Sequence, residues 1–124
     1  MTVKILIVDD QASIRSLVRA ILEEEYQVLE AASGEEALQI TRQHAPDLII
    51  MDILMPGMDG LTACSQIKGD PAISKIPVLV LTVIDHELNR RFAENLGADG
   101  YITKPFTAES LRAAVARHLK PAAA

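Results

Sequence analysis

Residues 47–60 read DLIIMDILMPGMDG, and the fold turns on how that stretch is read. Leu48, Ile49, Ile50 and Met51 form an unbroken apolar run. Such a run suits a strand covered on both faces, as in a parallel sheet. It stops at Asp52, which falls at the strand's carboxyl end, where open α/β sheets place their ligand crevices. Pro56, Gly57 and Gly60 then bend the chain, and Asp59 is placed to cap a following helix. Taken alone, Asp52 reads better as a solvated strand end.

Working outward, apolar strands alternate with helical patterns. Val3 to Val8 is a β-branched first strand. From Ala12 to Glu25, Ile14, Leu17, Val18, Ile21 and Leu22 recur on one helical face, with Arg15, Arg19, Glu23 and Glu24 on the other. Tyr26 to Ala31 alternates only partly and reads as a strand nearer an edge. Ser33, with Glu36 three residues on, opens a capped helix over Gly34 to Gln43. Pro46 closes the connection into the central strand.

Beyond it, the pattern predicts a helix over Asp59 to Lys68, with Leu61, Cys64 and Ile67 inward. A polar loop over Gly69 to Lys75 and a strand over Pro77 to Thr82 follow. A fourth helix runs from His86 to Leu96, with Gly97 as its left-handed C-cap. The chain continues with a short strand over Asp99 to Thr103 and a Thr107-capped helix to Leu119. Five strands and five helices in alternation imply an α/β domain with a parallel sheet and right-handed crossovers. The expected strand order is 2-1-3-4-5, the flavodoxin-like doubly wound arrangement. Residues 1–120 read as one domain and residues 121–124 as a tail or truncated linker.

Bulk composition narrows the function classes. At 124 residues and 49% hydrophobic content, the chain can fill one core, which excludes disorder. A formal charge of −5 argues against a direct nucleic-acid surface, which needs clustered Lys and Arg. A lone Cys64 cannot form an internal disulfide and fits a reducing compartment. The opening MTVKILIVDD is too short in its apolar run for a signal peptide, and no stretch reaches the ~20 apolar residues of a membrane span. These features together point to a cytoplasmic protein without membrane attachment.

The chemistry sits at the strand ends. The first strand ends in Asp9 and Asp10, the third in Asp52 and the fourth in Thr82, and Lys104-Pro105 follows the fifth. In the expected sheet these share one rim, with strands one and three adjacent at the topological switch point. Three carboxylates in one place repel unless a cation joins them, and an all-oxygen set with few protein ligands suits Mg²⁺. A central carboxylate flanked by metal and lysine can act as a nucleophile toward phosphorus. Asp52, on the middle strand, holds that position.

These segments resemble the receiver domain of two-component response regulators: ILIVDD, DLIIMDILMPGMDG, PVLVLT and GADGYITKPF, with matching spacing along essentially the whole chain. The resemblance implies that Asp52 is the phosphoacceptor, loaded by a histidine kinase or a histidine phosphotransfer protein. It implies Mg²⁺ held by Asp10, Asp52 and the carbonyl of Leu54, with Asp9 acting through a metal-bound water. It further implies that Lys104 pairs with the phosphoryl group, across a cis Lys104–Pro105 bond. Thr82 would then move toward the phosphoryl oxygen and Tyr101 turn inward. That motion would repack the face of the fourth helix, fifth strand and fifth helix for a downstream partner, an output domain or a homodimer. Such a protein turns over only itself and is not an enzyme in the usual sense.

The chain departs from the family at a few positions. Val83 stands where a small residue is usual and is expected to slow phosphorylation by small donors relative to Val83→Ala; equal rates would refute this. Leu54 and Ile84 replace groups that are often polar, and would shield an acyl phosphate from water. Gly100 replaces an acid of many DNA-binding relatives, which puts their charged dimer contact in doubt.

Plainer roles exist for each residue alone. Asp9 and Asp10 can cap a helix, Lys104 can be a solvated lysine and Thr82 a β-former. His44, His86 and His118 read as surface residues, Cys64 and Met51, Met55 and Met58 as packing, and Arg90-Arg91 as an exposed face or docking pair. Competing functions are a Mg²⁺-dependent aspartyl phosphohydrolase, a flavin-binding module and a receiver-like scaffold that takes no phosphate. The first lacks a general acid at Leu54 and the length for a cap; Asp9-Asp10 would repel the phosphate of the second; the third has no need of the full acid, lysine and threonine set.

Overall fold

The structure is a computed structural model that describes residues 2–53, 60–82 and 97–119. Its strands are β1 (Lys4–Val8), β2 (Gln27–Ala31), β3 (Leu48–Asp52), β4 (Val78–Thr82) and β5 (Gly100–Thr103). Its described helices are α1 (Ala12–Leu22), α2 (Gly34–His44), α3 (Gly60–Gly69) and α4 (Ala108–His118). The expected helix over His86 to Leu96 lies outside the described residues. So do Leu54, Met55, Pro56, Gly57, Met58, Asp59, Val83, Ile84, Arg90, Arg91 and the tail.

All neighbouring strands pair in parallel, in the order β2-β1-β3-β4-β5. The alternation of strand side chains splits the core into two layers. Leu6, Val8, Ile49 and Met51 pack on one face with Ala37 and Leu38 of α2 and Ala63, Cys64 and Ile67 of α3. Ile5, Ile7, Leu48, Ile50, Leu79 and Leu81 pack on the other with Val18 and Leu22 of α1 and Leu111 and Val115 of α4. Every residue of β3 is buried, as its apolar run requires of a central strand.

Several local expectations need correction. Helix α1 stops at Leu22 rather than Glu25. Three successive acids would sit against the negative end of its dipole, and the Glu25 and Tyr26 N–H groups instead turn back onto the Leu22 carbonyl. Leu17 is 47% exposed, because the buried stripe is narrower than the apolar one and centres on Val18 and Leu22. Arg15 and Arg19, on the face opposite the apolar stripe as expected, both reach over edge strand β2 to Glu30. His118 is half-buried against β5, and a Cβ at Gly100 would lie only 2.7 Å from its Nε2. The absence of a side chain at Gly100 is what admits the ring. Ile73 is buried within the supposedly polar 69–75 loop.

Both legible caps form. Ser33 Oγ accepts the Glu36 N–H at 3.2 Å, and Thr107 makes a reciprocal box with Ser110. Helix α2 ends on Ala45 in the left-handed region, at φ 45°, without the glycine that usually marks such a cap. Gly97 has φ 93° as expected.

Candidate functional site

The rim at the carboxyl ends of β1, β3 and β5 brings Asp9, Asp10, Asp52 and Lys104 together. Asp9 directly follows β1 and is completely buried. Four contacts hold it. Its N–H donates to the Ala31 carbonyl at 3.1 Å. Its carbonyl accepts from Arg15 Nη1 at 2.8 Å. Oδ1 accepts the Gln11 N–H at 2.9 Å, and Oδ2 accepts from Lys104 Nζ at 3.0 Å. Asp9 thus holds the turn into α1 through the Gln11 amide but does not cap the helix, whose N-cap is Gln11, and it faces the site with its other oxygen.

Asp52 is the last residue of β3 and is 5% exposed. Its Oδ2 lies 3.5 Å from Lys104 Nζ. That distance is at the outer limit of a hydrogen bond, so the attraction is mainly coulombic. Lys104, with a side chain 14% exposed, is thus closer to Asp9 than to Asp52. Asp10 is exposed to solvent. Carboxylate oxygens of Asp9, Asp10 and Asp52 nonetheless all lie within 4.8 Å of one another. Three carboxylates cluster and one ammonium pairs with two of them, which leaves negative charge in excess and favours a further cation.

The donor set consists of oxygens alone, one acid solvent-facing and two buried. That combination fits a hard, partly hydrated ion such as Mg²⁺. Both Asp9 oxygens already accept hydrogen bonds, from Gln11 and Lys104.

Thr82 ends β4 beside Thr103 of β5, one residue past the Asp52–Leu81 pairing, which sets its backbone on the same rim. Tyr101 stands on edge strand β5, 38% exposed, beside a groove of about 530 Å³ bounded by β5 and α4. The Lys104–Pro105 peptide is cis. Leu54 lies outside the described residues.

Two contributions escaped the sequence reading. Gly60 opens α3 directly on the Asp52 backbone, and a Cβ there would overlap the Asp52 carbonyl. The sequence showed Gly60 as a bend; its close approach depends on how α3 docks. The bond from Arg15 to the Asp9 carbonyl was equally hidden, since the partner that aims the guanidinium, Glu30, is fifteen residues away. Burial alone would raise the Glu30 carboxyl. The hydrogen bonds and charges of Arg19 and Arg15 outweigh it and hold the group below its ordinary 4.5.

The chain belongs to the response regulator receiver domain family, whose model matches residues 5–116. It is 43% identical over 116 residues to the chemotaxis protein CheY of Halobacterium salinarum, covering 93% of this chain and 95% of that protein. It is 40% identical over 116 residues to the alkaline phosphatase synthesis transcriptional regulatory protein PhoP of Bacillus subtilis, again covering 93% of this chain. The chain spans 48% of that regulator's length. Among solved structures, Vibrio cholerae chemotaxis protein CheY4, crystallised at low pH, superposes with a TM-score of 0.92 at 33% identity. That match covers 96% of this chain and 100% of the other. The fold and family expected from the sequence are both found. Among the described residues, no helix is long and apolar enough to cross a membrane.

Proposed function

We propose that this receiver domain is a phosphorylation switch with Asp52 as phosphoacceptor. The observation that carries the reading is the clustering of Asp9, Asp10 and Asp52 at the switch point of the sheet, with Lys104 paired to Asp9 and Asp52. A carboxylate oxygen of Asp52 forms the new bond to phosphorus as the bond from phosphorus to the donor's imidazole nitrogen breaks. The product is an acyl phosphate on Asp52, and the imidazole leaves with its electron pair. Asp10, Asp52 and the Leu54 carbonyl would hold Mg²⁺, with Asp9 acting through bound water. When bound, the ion neutralises charge on the phosphoryl oxygens.

Lys104 supplies the second positive charge. Its bond to Asp9 keeps the ammonium within reach of Asp52, so it meets the phosphoryl oxygens without entering from solvent. Thr82 then bonds a phosphoryl oxygen and Tyr101 turns inward. The face made by residues 86–96, β5 and α4 is remodelled for an output protein, an attached output domain or a second copy. The phosphodonor is a histidine kinase or a histidine phosphotransfer protein. The chain catalyses only its own phosphorylation and dephosphorylation. Support comes from the family match, from a full-length relative in chemotaxis and from relatives in transcriptional regulation.

Incubation with Mg²⁺ and acetyl phosphate, followed by intact mass measurement, tests this. One phosphoryl group per chain, absent in Asp52→Asn, is the expected result. Many turnovers would instead indicate a phosphohydrolase, and no incorporation a scaffold.

A further inference from the structure

Helix α1 carries two arginines one turn apart, Arg15 and Arg19, and both grip the same acid on β2. Arg15 Nε donates to Glu30 Oε1 at 3.2 Å, and Arg19 Nε donates to Glu30 Oε2 at 2.7 Å. Their remaining donors go to different places. Arg19 Nη2 donates to the Val28 carbonyl at 3.1 Å, within β2. Arg15 Nη1 donates to the Asp9 carbonyl at 2.8 Å, in the acidic turn. The Arg15 side chain is also the more enclosed, 19% exposed against 41% for Arg19.

The peptide unit is planar, so a bond to the Asp9 carbonyl also orients the Asp10 N–H and the start of the Asp10 side chain. The preceding plane is held by the Asp9 N–H on Ala31, and the following turn by the Gln11 N–H on Asp9 Oδ1. Arg15 completes this set from the helix side. Its guanidinium is aimed by Glu30, a fixed fork on an acid held in a strand. We propose that Arg15 is a positioning residue for the cation site, setting Asp9 and Asp10 relative to Asp52 through the Asp9 carbonyl, whereas Arg19 serves only the α1–β2 packing. This rests on the reading of Asp9, Asp10 and Asp52 as a Mg²⁺ site.

The paired arginines supply their own control. Arg15→Met and Arg19→Met each keep the aliphatic stem and each remove one arm from Glu30. Only the first frees the Asp9 carbonyl. Backbone amide NMR of the metal-free proteins should show the Asp10 and Gln11 N–H signals displaced in Arg15→Met and in place in Arg19→Met. A Mg²⁺ titration followed by the same signals, below both unfolding temperatures, should show affinity about tenfold weaker in Arg15→Met and changed less than about twofold in Arg19→Met, as supporting partners of metal ligands behave.

If the wild type binds Mg²⁺ and the two variants lose affinity alike, or neither loses any, Arg15 has no positioning role and the inference is overturned. If the wild type shows no Mg²⁺-linked change, the cation site itself is refuted, and the role of Arg15 falls with it.

Discussion

Thr41 shows how one atom can weaken a well-packed helix. Its hydroxyl is fully buried in α2 with no hydrogen-bond partner among the described residues. A stranded buried hydroxyl costs about 1–3 kcal/mol, and valine replaces it with a methyl at the same shape and similar helix propensity. Thr41→Val should therefore raise stability by about 1 kcal/mol, read as a higher urea midpoint at unchanged slope. Cys64 makes the opposite point. Its inward position was legible from the helical stripe. Burial pushes its thiol up to about 11, with the Lys68 charge lowering and the Asp99 charge raising it less. The thiolate is the reactive form, so Cys64 should resist iodoacetamide at pH 8 in the folded protein and react once urea unfolds it.

At the scale of elements, the α1–β2 clamp is the testable unit. The folded Glu30 carboxyl lies below its ordinary 4.5, so as pH falls the unfolded chain takes up the proton first. The clamp's contribution is full above about 4.5 and is gone once pH has dropped through the folded value. Wild type should thus exceed Glu30→Gln in urea midpoint at pH 7, and the gap should narrow as pH falls below 4.5 and close once it has passed the folded value. An undiminished gap in acid would mean that the charge of Glu30 is not what the arginines use. That Arg15 and Arg19 faced away from the core was legible from periodicity. That they cross to β2 was not, because a helix wheel carries no information about the neighbouring strand.

For the whole molecule, the crowded acids cost stability that a bound cation would restore. Asp10 is the solvent-facing member of the cluster, so Asp10→Asn should raise the metal-free melting temperature by relieving repulsion. The same change should shrink the further rise caused by Mg²⁺. In the wild type, Mg²⁺ at ten times its dissociation constant should add about 1.4 kcal/mol by mass action. A melting temperature that Mg²⁺ leaves unmoved in both proteins would contradict the site.

The sequence by itself determined the strand order and the described helices, the central place of β3, the two-layer core and the rim on which Asp9, Asp10, Asp52, Thr82 and Lys104 fall. Those follow from periodicity and from the handedness of parallel crossovers, which act locally along the chain. Tertiary structure alone decided the contacts between distant segments: Lys104 nearer Asp9 than Asp52, Gly60 against the Asp52 carbonyl, His118 over Gly100 and Arg15 on the Asp9 carbonyl. Each depends on how two separately formed elements dock, and docking is set by side-chain packing across the core rather than by the spacing of residues within either element.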